Sequence, residues 1–159
     1  MQPKRLKIGI LATFFDPHWT GGFIYLVNLI NALQWLDEAD RPEIVVFYNE
    51  RSENKLGLIE YPYIQYVFLA NYKSNFTTYL QSWLRLKNLF VKDIIVQHQL
   101  DGLYPVNDFP GRLNNPQHHC RVVSWYPDYQ QKFYPEYFTR LNLFFRELRI
   151  KISSNTLPT

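Results

Sequence analysis

The sequence contains little cysteine and little glycine, and it has no long apolar run. Its 159 residues include one cysteine, Cys120, and six glycines. A single cysteine excludes an intramolecular disulfide framework and a cysteine-based structural zinc site, so a reducing, cytoplasmic setting is expected. No run approaches the roughly 18 apolar residues that a bilayer span requires, so the sequence predicts no transmembrane helix.

Neither sign of charge dominates the composition. There are 17 basic and 14 acidic residues, a formal net charge of +3. So small an excess predicts no nucleic-acid partner, because such domains usually concentrate basic residues on one face. Hydrophobic residues make up 47% of the chain and charged residues 19%, which excludes intrinsic disorder. The length suits a single domain over residues 1–159.

Two nucleotide-binding motifs are also missing. No G-x-G-x-x-G follows a predicted strand, which argues against a standard nicotinamide or flavin site. No G-x-x-x-x-G-K-[ST] occurs, which excludes a P-loop NTPase. His118 and His119 are a lone adjacent pair without the further ligands that a metal site needs, so no metal is expected.

Strand and helix patterns alternate along the chain. Residues 6–13 form a nearly continuous apolar run, typical of a strand covered on both faces. A helix over residues 23–38 and a strand over 43–48 complete a β–α–β unit, which predicts a parallel sheet. Residues 92–100 fit either a strand or a helix end. Further strands are expected over 63–69, 103–106 and 120–125, and further helices over 74–91 and 138–152. The pattern predicts a Rossmann-like, doubly wound, mainly parallel α/β sheet.

Ligands of such sheets bind beyond the carboxyl ends of the strands, where the loop after the first strand contains polar residues and two glycines. Gly21 and Gly22 let a ligand approach the backbone closely, and the first N–H groups of a helix favour an anion such as phosphate. The alternative is that they only permit a tight turn. Asp16 and His18 are candidates for binding a hydroxyl-rich ligand, and the alternative is a solvated loop pair.

Residues 125–130 place an acid, an amide and three aromatic rings beyond the fifth predicted strand. Carboxylate and amide groups bind sugar hydroxyls, and ring faces stack on the apolar face of a pyranose. Asp128, Tyr129 and Gln130 are therefore candidate substrate-binding residues, and Asp128 is the candidate catalytic residue. The alternative for Trp125 is a place in the core.

Five segments together resemble a GT-B glycosyltransferase, and more closely the amino-terminal half of the group 1, family four retaining enzymes. They are residues 7–10, Gly21-Gly22 with its helix, residues 103–107, 125–130 and 134–138. The resemblance implies two Rossmann-like domains that face a cleft, of which this chain is the acceptor-side domain. The donor-binding domain with its Glu-x7-Glu element is not in the sequence, so a fragment that is incomplete at its C-terminal end is expected.

The implied function is transfer of a sugar, of hexosyltransferase type, from a nucleotide-sugar to a glycan or lipid-linked acceptor. No metal or other cofactor is implied. The resemblance puts Gly21 and Gly22 near the donor phosphates and Asn107 at the substrate. Asp128 matches the acid of the family's His-Asp pair, and Pro127 stands at the histidine position. The chain alone is expected to have little activity, because catalysis must align two substrates.

Two alternatives from other classes stay open, namely a non-catalytic sugar- or nucleotide-binding module and an inactive truncated remnant. The last predicted helix also has two interpretations. Its basic residues form a solvated face, or they touch acidic lipid head groups and hold the chain peripherally at the inner face of the membrane.

Overall fold

Five parallel strands form one sheet in the part of the chain that the structure describes. The structure is a computed structural model that describes residues 4–14, 20–69, 89–106, 120–123, 125 and 130–154. Every neighbouring pair of strands is parallel. The order across the sheet is β3-β2-β1-β4-β5, with β1 Lys7–Leu11, β2 Glu43–Tyr48, β3 Ile64–Phe68, β4 Gly102–Tyr104 and β5 Arg121–Val122. This order reverses between β1 and β4, so the predicted Rossmann-like α/β architecture is confirmed.

Four α-helices lie in the same described residues, namely α1 (Thr20–Ala32), α2 (Leu89–His98), α3 (Gln130–Phe133) and α4 (Arg140–Ser154). Most of the ambiguous stretch 92–100 is helical, because α2 continues to His98, so the strand interpretation is wrong. The fifth strand is shorter than predicted, with two residues in place of six. Short 3-10 helices span Ala12–Phe14, Leu33–Trp35, Glu53–Leu58 and Pro135–Tyr137.

Helix α1 begins and ends earlier than the prediction of residues 23–38. It starts at Thr20, so Gly21 and Gly22 lie inside its first turn. After Ala32 the chain tightens into a 3-10 helix, and Leu36 is extended, with a ψ of 155°. The Arg41 side chain donates through Nε to the Leu36 carbonyl at 3.0 Å. A side chain therefore satisfies a carbonyl that a longer helix would have paired internally.

Helix α1 covers one face of the sheet and α2 covers the other. Alternate residues of each buried strand point to opposite faces, so one strand contributes to both cores. On β2, Ile44 and Val46 pack with α1, and Val45 and Phe47 pack with α2. The α1-side core consists of Ile10, Ala12, Phe23, Leu26, Val27, Ile30, Ile44, Val46 and Tyr61. The α2-side core consists of Leu11, Val45, Phe47, Val91, Ile94, Ile95, Leu100, Leu103 and Val106. Burial on both faces explains the nearly unbroken apolar sequences of β1 and β2.

The α2-side core closes tightly over the middle of β1, at Gly9. A Cβ at this position would lie 2.6 Å from Leu100 Cδ1 and 2.7 Å from Leu103 Cδ1, both buried. A side chain as small as alanine would therefore push two core leucines outward. Close approach, and not backbone conformation, accounts for glycine here.

A hydrogen-bonded cluster ties the chain together at the amino edge of the sheet. Arg5 Nη2 donates to Glu38 Oε1 at 2.7 Å, and Arg41 Nη1 donates to Glu38 Oε2 at 2.8 Å. The Tyr63 hydroxyl donates to the same carboxylate, and the Arg5 guanidinium lies 4.0 Å from the centre of the Tyr63 ring. The hydrogen bond from Tyr63, with help from the two arginines, holds the pKa of Glu38 below its ordinary 4.5.

Because the pKa of Glu38 is lowered in the folded chain, part of the folding stability should be lost at acid pH, and Glu38→Gln should remove this pH dependence. The unfolded carboxyl takes up a proton at a higher pH than the folded one, so the stabilisation is complete above pH 4.5 and is lost as the pH falls through the folded pKa. The difference in unfolding free energy between the wild type and the variant should therefore shrink between pH 7 and pH 3. Urea denaturation at several pH values measures it, and a constant difference would contradict the prediction.

Candidate functional site

The carboxyl ends of the strands meet the first turn of α1 at one edge of the sheet. β1 ends at Leu11, and α1 starts at Thr20 after the 3-10 helix Ala12–Phe14. The chain segments after β4 and β5 stay side by side, because the Val106 amide donates to the Val123 carbonyl at 3.1 Å. The sheet order changes direction between β1 and β4, and such a switch point is where doubly wound sheets bind ligands.

Gly21 presents open backbone at this edge. A Cβ built at Gly21 meets no atom within 4 Å, and none of the described glycines has a positive φ. Neither packing within the described residues nor backbone conformation therefore requires glycine at position 21. Gly22, one residue on, is buried. The first N–H groups of α1 have no carbonyl partners inside the helix, and they are the donors that an anion would use.

Three aromatic side chains pack together over the first turns of α1, and we call them the aromatic platform: Tyr25, Tyr104 and Trp125. The Tyr25 and Trp125 rings stack with their centres 4.9 Å apart and an interplanar angle of 21°. The Tyr104 ring lies 6.3 Å from Trp125. Tyr25 remains 47% exposed, so an aromatic surface faces solvent one helical turn from Gly21.

The platform is also a hydrogen-bonding surface. Burial raises the pKa of the Tyr104 hydroxyl far above its ordinary value, and the neighbouring Tyr25 raises it further by a smaller amount. A hydrogen bond between the Tyr104 and Tyr25 hydroxyls contributes to this rise. Ring faces with hydroxyls at their rims suit a ligand that has both an apolar face and polar edges, as sugars have.

Polar side chains hold the chain after β1 and β2 at the same edge. The side-chain Nδ2 of Asn49 donates to the Thr13 carbonyl at 3.3 Å, and its backbone N–H donates to Ser52 Oγ at 3.2 Å. Thr13 is only 6% exposed, and its hydroxyl has no hydrogen-bond partner within the described residues. Asn49 therefore joins the chain segments that follow β1 and β2 at this edge.

The structure describes only part of the predicted site. Gly21 and Gly22 lie at the carboxyl edge as expected, and Trp125, directly before the predicted acidic loop, stacks on Tyr25. Gln130 begins α3, and its side chain is outside the described part. The other predicted site residues lie outside the described residues, namely Asp16, His18, Asn107, Asp128 and Tyr129.

Sequence reasoning missed two of the three platform residues. Tyr25 was not singled out, although it stands four residues after Gly21 and so on the same side of a helix. Tyr104 belongs to a predicted strand and to the family resemblance, and the signal that could mark it is its position at the strand end where ligands bind. The third, Trp125, packs against the α1-side core, as its alternative interpretation predicts, and it also stacks on Tyr25.

A cavity of about 250 Å³ lies at the opposite, amino edge of the sheet. Its lining includes the starts of three strands, with Lys7 on β1, Glu43 on β2 and Ile64 on β3. It is remote from the glycines and the platform, because the strands run between the two edges. This cavity serves below as the internal comparison for binding experiments.

Cys120 lies just before β5, where its surroundings disfavour the reactive thiolate form. Burial, with a smaller effect of Asp101, raises the pKa of its thiol from 9.0 to about 11. Only the thiolate is nucleophilic, so a shift of that size makes the reactive fraction at pH 8 about 100-fold smaller than in the unfolded chain.

Alkylation should show this difference directly. We expect iodoacetamide at pH 8 to modify native Cys120 about 100-fold more slowly than Cys120 in guanidinium chloride, after correction with a model thiol in both solvents. Since Cys120 is the only cysteine, mass spectrometry reads the rate without ambiguity. Equal rates would mean that the thiol is not buried as described.

The described residues include neither a candidate metal site nor a candidate membrane span. No group of three or more His, Cys, Asp or Glu side chains in that part of the chain is placed to hold a metal ion. No helix within the same residues combines the length and apolar character needed to cross a membrane.

Comparisons with known proteins add no family assignment to this geometry. The chain matches no family model, no curated protein and no solved structure. The strand order defines the fold, and a fold of this kind does not by itself determine the function of the site.

Proposed function

We propose that the carboxyl edge of this sheet binds a sugar nucleotide or glycan, and that the chain serves as the acceptor-side domain of a glycosyltransferase. One observation carries the proposal: an unhindered glycine in the first turn of α1 lies one turn from an exposed aromatic platform. The helix N-terminus favours phosphate, and the platform favours a pyranose face. A nucleotide-sugar or its acceptor presents both chemistries.

Asp128 has the chemical role in this proposal. It accepts a hydrogen bond from the acceptor hydroxyl and orients its oxygen toward the anomeric carbon of the donor sugar. The first N–H groups of α1 stabilise the negative charge that develops on the leaving diphosphate. Asn107, Asp16, His18, Tyr129 and Gln130 complete the proposed set of residues that bind sugar hydroxyls.

The role of Asp128 predicts a large loss of turnover in Asp128→Asn. With a donor-binding domain supplied, kcat for sugar transfer should fall about 100-fold or more, as for removal of a positioned acid–base group. Asp93→Asn, an exposed acid on α2, is the matched control and should leave kcat unchanged. Retained sugar binding with unchanged turnover in Asp128→Asn would remove Asp128 from the mechanism.

Two glycines provide the test of the binding site itself. A Cβ meets no atom within 4 Å at Gly21 or at Gly57, so alanine should be structurally tolerated at both. Calorimetric titration with UDP-glucose and GDP-mannose should give a Kd about tenfold higher for Gly21→Ala, because the methyl group occupies the space of the ligand. Gly57→Ala should bind as the wild type does.

The outcomes separate the proposed functions. No saturable binding of either nucleotide-sugar, or of oligosaccharide acceptors, would overturn the proposal. Binding that Gly21→Ala leaves unchanged would move the site away from α1. Binding that behaves as predicted, without transfer when a donor domain is supplied, would favour the non-catalytic binding module.

A further inference from the structure

Large apolar side chains face solvent on α3, on the 3-10 helix after it and on α4. Six of them are between 51% and 80% exposed, and we call them the terminal apolar surface: Phe133, Tyr134, Tyr137, Leu141, Phe144 and Phe145. Neither hydrophobic core of the described structure includes a side chain from residues 130–154. A cluster of this kind is unusual on a protein surface that meets only water.

An apolar stripe runs along α4, with Leu141, Phe144 and Phe145 exposed and Leu148 partly buried. Leu141, Phe144, Phe145 and Leu148 recur at the spacing that aligns side chains on one helix face. The Phe144 and Phe145 rings touch edge to face, with centres 5.7 Å apart. Arg140, one turn before Phe144, is exposed and borders the stripe with a cation.

The other side of α4 turns toward α3. Arg146 Nη1 donates to Gln131 Oε1 at 3.3 Å, and its guanidinium lies 4.5 Å from the centre of the Phe138 ring. Glu147 Oε1 lies 3.7 Å from Lys132 Nζ, so the carboxylate of this helix is paired with a cation. These contacts fix α4 with its apolar stripe outward.

Residues 130–154 account for the net positive charge of the whole chain. Residues 130–154 contain five basic residues, Lys132, Arg140, Arg146, Arg149 and Lys151, and two acidic ones, Glu136 and Glu147. Their net charge is +3, which equals the net charge of all 159 residues, so the rest of the chain is neutral. The segment that exposes apolar rings therefore also has a net positive charge.

We propose that α4 and the terminal apolar surface lie in the interface of a lipid bilayer with anionic head groups. The apolar stripe enters the boundary between head groups and acyl chains, and Arg140 binds lipid phosphates beside it. Tyrosine and phenylalanine rings together with basic residues are the composition that such interfaces favour. A second copy of the chain fits less well, because two segments that each have a net charge of +3 would repel each other. The inference does not depend on the sugar site.

Vesicle co-sedimentation of the full chain tests this placement. Vesicles of phosphatidylcholine with phosphatidylglycerol should bind it, and vesicles of phosphatidylcholine alone should bind it several-fold more weakly. The double variant Leu141→Ser/Phe144→Ser should reduce partitioning about tenfold or more, through lost apolar contact. Trp35→Ser, at a side chain that is 84% exposed on another part of the molecule, is the matched control and should partition as the wild type.

A charge variant gives a second, independent readout. Arg140→Gln should weaken binding to the anionic vesicles about fivefold and leave binding to neutral vesicles unchanged, and added salt should weaken the wild type in the same way. Its control is Arg51→Gln, an exposed arginine after β2. Circular dichroism checks that each variant keeps its fold, and the charge variant keeps the test valid if the double variant unfolds.

Three results would overturn the proposal. The wild type could fail to bind anionic vesicles, or the double variant could bind as the wild type does. Sedimentation velocity could instead show a dimer that Leu141→Ser/Phe144→Ser dissociates, which would assign the surface to a second copy of the chain. A protein partner that covers the stripe would likewise appear as absence of vesicle binding by the isolated chain.

Discussion

Phe47→Ala should lower the free energy of unfolding by about 3–5 kcal/mol. Phe47 is fully buried at the centre of the α2-side core, and it meets the His98 ring edge to face at 4.9 Å. Its Cε2 atom also lies 3.1 Å from where a Gly9 Cβ would stand. The core is tight around the ring, so alanine leaves a cavity that cannot collapse without moving β1. Single domains are stable by only about 5–15 kcal/mol, so the loss is severe.

Urea denaturation followed by tryptophan fluorescence measures this effect. Phe133→Ala is the matched control, because that ring is 76% exposed, and its cost should stay within about 0.5 kcal/mol. Similar values for the two variants would contradict the packing of α2 on the sheet. A lower m-value without a shifted midpoint would point to a change in the denatured state instead.

Tyr25→Ala should weaken binding of a nucleotide-sugar or an oligosaccharide about tenfold or more. Stacking on an exposed aromatic ring contributes about 1–3 kcal/mol where planar ligands have been measured, and about 1.4 kcal/mol, within that range, already gives a tenfold loss. Removing Tyr25 also uncovers Trp125 and takes the hydroxyl partner from Tyr104. The loss should appear in Kd with little change in stability, since Tyr25 is half exposed.

Two further variants separate the ring from the hydroxyl. Tyr25→Phe keeps the stacked ring, so its affinity should stay within a few-fold of the wild type, while the pKa of Tyr104 should move toward its ordinary value. Tyr134→Ala, at a tyrosine 55% exposed on another surface, should bind the sugar ligand normally. Equal affinity of Tyr25→Ala and the wild type would show that the platform does not contact the ligand.

Local sequence predicted the centre of the sheet well. The strand over residues 43–48 is confirmed at both ends, because an unbroken apolar run lies between Pro42 and the turn-forming Asn49. The start of α1 was misplaced because Gly21 and Gly22 are poor helix formers. Packing overrides that preference, since buried Gly22 and Phe23 seat the first turn of the helix against the sheet.

The platform was harder to predict because it is assembled by topology. Tyr25 comes from the first helix, Tyr104 from the end of β4 and Trp125 from just beyond β5, and only the order β1-β4-β5 brings them together. No local pattern encodes that order. The position of Gly21 and Gly22 could be predicted from local sequence, because a helix that follows the first strand of a parallel sheet begins at the carboxyl edge. The contribution of Asp128 remains a prediction.

Backbone amide NMR during a nucleotide-sugar titration tests the central claim most directly. We predict that saturable shift changes concentrate at Gly21, Gly22, Tyr25 and Tyr104, with the Trp125 indole N–H moving alongside them. Residues around the amino-edge cavity, such as Lys7 and Glu43, should remain unchanged. Shifts confined to that cavity, or no saturable shifts at any ligand concentration, would contradict a sugar site at the carboxyl edge.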